Sequence, residues 1–219
     1  DIESECYSKS GRLTYVAGQY LLDIFSDTTE RGPTFMLPPF RQFDDIKSPV
    51  PWAFAKDPLH NSEEAWHILL KRAPRGLNWK KEDYKNMGAP PEIQNRIHAL
   101  DFDDIMKFHI GREDDPSRYD CPFSVLMRIS FDEFQNIDLD KWFEENAEKY
   151  SQSVRLSIGK ESPDAIKSGL IHLSLDIPES HTSLFNHLAI KLIFNIISTG
   201  TMAKIGRIMG NWMIQVDAT

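Results

Sequence analysis

Apolar residues fall into short runs divided by stretches with helical spacing. Arg12-Leu13-Thr14-Tyr15-Val16-Ala17 is β-branched and aromatic and ends at Gly18, which predicts a short buried strand. A helical run follows directly, from Tyr20 to about Asp27. Thr34-Phe35-Met36-Leu37 reads as a second strand, stopped by Pro38 and Pro39, because proline cannot donate to a ladder. Asp104 to Ile110 and Phe123 to Ile129 read as the next strands. A helix from Leu139 to Tyr150 leads to strands at Val154 to Ile158 and Leu170 to Ile177.

The C-terminal part is the most regular. Leu184/Phe185, Leu188/Ala189, Leu192/Ile193 and Ile196/Ile197 recur at helical spacing and place a broad apolar stripe on one helix face. Ser198-Thr199-Gly200 is expected to break that helix, and a second one to turn Met202, Ile205, Met209, Trp212, Met213 and Val216 inward. Strands separated by helices, rather than by hairpin turns, predict an α/β fold. Its expected form is a three-layer αβα sandwich, Rossmann-like, with a mainly parallel sheet covered on both faces.

Residues 38 to about 100 interrupt this rhythm. They are rich in Pro, Trp and charge, with helical patches at Glu63 to Arg72 and Lys81 to Asn86. The expectation is one domain over 1–219 with an irregular insertion here, anchored by Trp52, Trp66 and Trp79.

Composition narrows the function classes. With 219 residues and 41% hydrophobic content, the chain can bury one good core. A formal charge of -8 argues against nucleic acid, whose phosphates need a basic surface. Cys6 and Cys121 make neither a disulfide framework nor a zinc motif, and no Asn-x-Ser/Thr site occurs. Together with the lack of a membrane-spanning run, this predicts a reducing compartment, cytoplasmic or nuclear, with no membrane partner, metal or cofactor.

In a parallel sheet the ligand is expected at the carboxyl ends of the strands, beside a helix N-terminus. The first such turn is Gly18-Gln19-Tyr20. A phosphate cradle needs several small or hydroxyl residues so that backbone can approach and hydroxyls donate. A lone Gly before Gln19 and bulky Tyr20 reads instead as a plain strand-to-helix turn. Glu30, at the end of that first helix, is the one carboxylate placed to act as acid or base, against a solvated helix-end acid as the simpler reading. Glu113-Asp114-Asp115 reads as a solvated loop rather than a cation site. His181 and His187 are poorly spaced for shared ligation, and His67, His109 and His172 lie in apolar segments. No hydrolase, zincin or nucleotide motif supports an enzyme.

Two segments resemble one family. Val16-Ala17-Gly18-Gln19-Tyr20-Leu21 and Glu30-Arg31-Gly32-Pro33-Thr34-Phe35 fall, without a gap, into a frame of strand, Gly-Ala-Gly-Thr-Ser-Gly-Arg-Leu, helix, and Glu-Cys-Pro-Pro-Thr-Phe. Lys191, Asn195 and Ser198-Thr199-Gly200, followed by Lys204-Ile205-Gly206-Arg207 and Gly210-Asn211-Trp212-Met213, match a Lys-x-x-x-Asn-x-x-Ser-Thr-Gly helix pair. Both frames are those of the sugar isomerase (SIS) domains of the glucokinase regulatory protein and N-acetylmuramic acid 6-phosphate etherase group. The likeness covers the two ends of the chain; the middle matches only in the order of its elements.

The resemblance implies a carbohydrate-derivative fold whose ligand-binding positions are Gly18, Gln19, Tyr20, Ser198 and Thr199, with Glu30 matching the etherases' catalytic acid. The departures imply lost chemistry. Thr-Ser-Gly is replaced by Gln19-Tyr20-Leu21, and the etherases' second acid has no counterpart after Phe43. The expectation is therefore a non-catalytic, regulatory half of a tandem-SIS protein, excised from a longer chain that begins before Asp1. Its expected partners are a sugar phosphate, a sugar kinase, a preceding SIS domain or a second copy of itself. The competing expectation is a phosphosugar lyase or etherase using Glu30.

Overall fold

The computed structural model describes residues 1–76, 79–96, 101–131, 136–160 and 169–214. Strand β1 (Arg12–Ala17) is the organising element. Leu13, Tyr15 and Ala17 point to one of its faces and Thr14 and Val16 to the other, and all five are buried. Apolar side chains on both faces, without a polar side, suit a central strand of a parallel sheet. β2 (Ala53–Lys56), β3 (Ser124–Phe131), β4 (Gln152–Gly159) and β5 (Leu170–Ser174) complete a five-stranded sheet of order β2-β1-β3-β4-β5. All four pairings are parallel, with Tyr15 opposite Ala55 on one side and Met127 on the other.

One face is covered by α1 (Ile2–Ser8), α2 (Leu21–Phe35) and α8 (Leu184–Lys204), and α3 (Ser62–Leu70) packs on α2 through Trp66 and Phe25. Tyr15 meets Phe194 of α8 edge-on at 5.1 Å. The opposite face is covered by α7 (Ile137–Asn146), whose Leu139 and Phe143 bury Val16 and Leu126. Over β1 and β2 that face carries an irregular segment with a single 3-10 turn at Pro116–Arg118. Arg118, only 2% exposed, donates to the carbonyls of Leu13 at 2.7 Å and Pro51 at 2.6 Å. It thereby pins β1 to the segment that leads into β2, and the two carbonyls hold its buried charge. The result is the three-layer, Rossmann-like α/β fold expected.

Several local expectations are corrected. Thr34 to Leu37 is not a strand: α2 runs on through Pro33 to Phe35 and ends where Met36 turns left-handed at φ 53°. Proline is tolerated in that last turn at the loss of one helical hydrogen bond. Asp104 to Ile110 is not a strand either. Asp101 accepts from the Asp104 N–H at 2.9 Å and caps the short α6 (Phe102–Met106). The stretch read as an irregular insertion supplies β2 and α5 (Pro91–Arg96) besides its two expected helical patches, which are α3 and α4 (Lys81–Asn86). Gly200 does not break α8, which continues to Lys204; beyond it Ile208–Met209 (β6) and Trp212–Met213 (β7) form a small antiparallel ladder, not a second helix. Val216 lies outside the described residues, as does the end of the Pro- and Trp-rich stretch at 97–100.

Candidate functional site

The chain runs from β1 to β2 on one side and then crosses to β3 on the other, so the sheet has its topological switch point between β1 and β3. That is where open α/β sheets bind ligands. The crevice there is lined by Gly18, Gln19, Tyr20, Arg128, Ser130 and Phe131, with Ile190 of α8 below. It is almost filled: about 10 Å³ remains, room for about one water. Tyr20 fills it. Its ring packs at 5.1 Å from Phe131 and 4.9 Å from His187. The residue sits at φ 53°, a left-handed conformation that costs a bulky side chain about 1 to 2 kcal/mol. Tyr20 therefore caps α2 without a side-chain hydrogen bond to the helix.

The cation lining the crevice is already engaged. Arg128 is 5% exposed; its Nη2 donates to Asp140 Oδ2 at 3.1 Å, and its Nε lies 2.9 Å from Oδ1, off the N–H axis. Burial lowers the pKa of this guanidinium, and the Asp140 carboxylate works against that shift.

The other expected site residues are elsewhere. Glu30 is exposed and accepts from Lys191 Nζ at 2.8 Å; it does not line the crevice. Ser198 is buried and donates to Asp27 Oδ1 at 3.1 Å, while Thr199 faces solvent. Gly18, Gln19 and Tyr20 are thus together, and Ser198, Thr199 and Glu30 are not with them.

Ser198 belongs to a buried ionic cluster. Arg31 on α2 pairs with Asp27 at 2.7 Å and with Glu3 of α1 at 3.1 Å, and donates to the Tyr7 hydroxyl at 2.9 Å. Burial raises the Glu3 carboxyl pKa, opposed by the Arg31 guanidinium and reinforced by Asp27. The cluster ties α1, α2 and α8 together, and with side-chain exposures of 2–3% for the ions it has no opening for a ligand.

A second pairing of α2 with α8 escaped the sequence reading. His187 Nδ1 lies 2.7 Å from Asp23 Oδ2, and Lys191 donates to Ser26 Oγ at 2.8 Å as well as to Glu30. Asp23, Ser26 and Glu30 share one face of α2, and His187 and Lys191, four apart, one face of α8. Matching these two polar stripes is the signal that could have found the pairing. The ladder closes the seam between the helices beside Tyr20.

The acidic loop is structural. Gly111 runs so close to α3 that a Cβ there would lie 2.3 Å from the Ser62 nitrogen. That approach lets Glu113 accept from Ser62 N at 2.7 Å and Ser62 Oγ at 2.6 Å. Asp114 accepts from the Tyr119 hydroxyl at 2.7 Å, and Asp115 caps the turn at Ser117 at 3.0 Å. Among the described residues no cluster of His, Cys, Asp or Glu has metal-binding geometry, and no helix is long and apolar enough to cross a membrane.

No protein-family model and no curated protein matches this sequence.

Proposed function

We propose that this chain is a non-catalytic regulatory domain that acts through protein contacts. In this reading it is an SIS-type half of the glucokinase regulatory protein kind, as the segments at Val16–Leu21, Glu30–Phe35 and Lys191–Met213 imply. Its expected setting is a reducing compartment, and its partners are a sugar kinase or another SIS domain. The observation that carries the reading is Tyr20. At the switch point, where a phosphosugar would sit, its ring leaves about 10 Å³. The turn offers Gln19 and Leu21 where a phosphate loop needs hydroxyls and open backbone.

The lyase reading lacks a comparable support. An acid catalyst must come within hydrogen-bond reach of the atom it serves. Glu30 is 59% exposed at its side chain and spent on Lys191, away from the crevice. Incubation with N-acetylmuramic acid 6-phosphate should release no lactate above the rate of buffer alone. Turnover that disappears in Glu30→Ala would replace the regulatory reading with the enzymatic one.

A further inference from the structure

A cavity of about 130 Å³ lies on the α7 side of the sheet, at the carboxyl end of β2. It sits between Trp142 and Asn146 of α7 and the segment that carries Arg112 to Tyr119. The switch-point crevice keeps about 10 Å³. Lys56, Arg112, Arg118 and Lys149 bring four cations to the wall of the larger cavity, against the two acids Asp114 and Asp115. In a chain of net charge -8 that is a local reversal of sign.

Two of these cations are engaged by the fold. Arg118 donates to Thr14 Oγ1 at 3.2 Å and to the Leu13 and Pro51 carbonyls, and Lys149 pairs with Asp114 at 3.3 Å. Arg112 is fixed through its backbone N–H, which donates to the His60 carbonyl at 2.7 Å. Its guanidinium is exposed and has no partner among the described residues. Lys56 lies opposite Val16 in the ladder, is 5% exposed, and donates to the Glu113 carbonyl at 2.7 Å. That is its one hydrogen bond among the described residues. An ammonium has three donors, so this buried amine is under-served by its own chain.

We propose that Lys56 is a covalent docking site for a small oxo acid, whose carbonyl carbon forms an imine with Nζ while Arg112 holds the carboxylate. The neutral amine adds to the carbonyl carbon, forming the N–C bond of a carbinolamine. Water then leaves with the carbonyl oxygen and both amine protons, which gives the imine. The mixed charge of the wall fits both ends of the adduct. Protonated from solvent, the iminium keeps an N–H for the Glu113 carbonyl and lies beside Asp115, as the ammonium did. The carboxylate meets a guanidinium that the fold leaves unpaired.

The chemistry of the amine suits this step. Burial, helped by Arg118, pushes the ammonium pKa down to about 8, so about a tenth of the amine is neutral at pH 7, against under about a thousandth for an ordinary lysine. Desolvation and a neighbouring cation are what make a lysine nucleophilic. The cavity also sets the class of acid. At about 130 Å³ it is below the roughly 300 Å³ where ordinary ligand pockets begin, so it suits an acid of about two or three carbons and not a hexose phosphate.

Glyoxylate is the probe for the full chain, with cyanoborohydride to reduce the imine and peptide mass analysis to locate it. The expected result is an adduct at Lys56 at glyoxylate concentrations that leave the other lysines unmodified. Lys56→Met, which removes a buried charge and should fold at least as well as wild type, abolishes that adduct. Arg112→Ala should slow labelling of Lys56 by about tenfold, the loss of one charge-assisted contact. Acetaldehyde, which has no carboxylate, should label wild-type Lys56 as slowly as glyoxylate labels Arg112→Ala. Labelling scattered over surface lysines without preference for Lys56 overturns the proposal. So does labelling of Lys56 that neither Arg112→Ala nor the exchange of glyoxylate for acetaldehyde weakens. The readout is a covalent mass rather than a partner or a sugar phosphate, so this site and the protein-contact reading can fail independently.

Discussion

The ring of Tyr20 packs on the ring of Phe131 at 5.1 Å and bridges the carboxyl ends of β1 and β3. Residues at these two strand ends form the mouth of a ligand crevice in an open parallel sheet. Here they form a plug. The plug is held in a backbone conformation that bulky residues avoid, and packing against Phe131, Ile190 and His187 offsets that cost. The same features that stabilise the turn leave only about 10 Å³ in the crevice.

Asp27 holds the α1–α2–α8 junction. It accepts from Arg31 and Ser198 at full burial, and removing it strands part of a guanidinium that is 2% exposed. Asp27→Ala should lower the free energy of unfolding in urea by about 3 to 5 kcal/mol, the cost of breaking a buried ion pair from one side. A loss below about 1 kcal/mol would show that Glu3 and Tyr7 suffice for Arg31.

Lys56 gives the fold a pH dependence of known sign. It ends β2, is 5% exposed, and donates to the Glu113 carbonyl at 2.7 Å. Burial pushes its ammonium pKa down from 10.5 to about 8, although Asp115, Glu113 and Asp114 act to raise it. Below pH 8 the amine is charged in both the folded and the unfolded chain, and folding bears the full cost of burying it. Between about 8 and 10.5 it is neutral in the folded chain and still charged in the unfolded one, so its contribution to stability rises with pH. That penalty is on the order of 3 kcal/mol. Lys56→Met should therefore be more stable than wild type at pH 7 by about 1 to 3 kcal/mol, with the advantage shrinking as pH approaches 10. Denaturant melts of both proteins across that range check it; an unchanging difference would contradict the buried-charge assignment.

Legibility in the sequence followed local physics. β1, β3 and β4 are dense in Val, Leu, Ile and aromatic residues, and their burial makes those runs readable. β2 was not readable, because Ala53-Phe54-Ala55-Lys56 is four residues long, carries two alanines and ends in a buried lysine. Asp104 to Ile110 mimicked a strand through its apolar content, although the Asp101 to Asp104 capping box was there to be read. Gly200 looked like a break because helix propensity is local, whereas α8 is held on either side of it by Phe194 and Met202, both fully buried. Gly18 to Tyr20 line the switch-point crevice because the turn after β1 is fixed by chain order. Ser198 was misplaced because the partner of a buried hydroxyl depends on helix rotation. The His187–Asp23 contact joins residues 164 apart, which spacing within one helix could not reveal.

The proposed function holds that the switch point takes no sugar phosphate. A thermal-shift titration with fructose 6-phosphate, fructose 1-phosphate and N-acetylmuramic acid 6-phosphate tests it most directly, since a ligand of the folded state must raise the Tm as its concentration passes Kd. The account predicts an unchanged Tm up to millimolar ligand. A saturable rise, altered by Tyr20→Gly at the crevice, would contradict it.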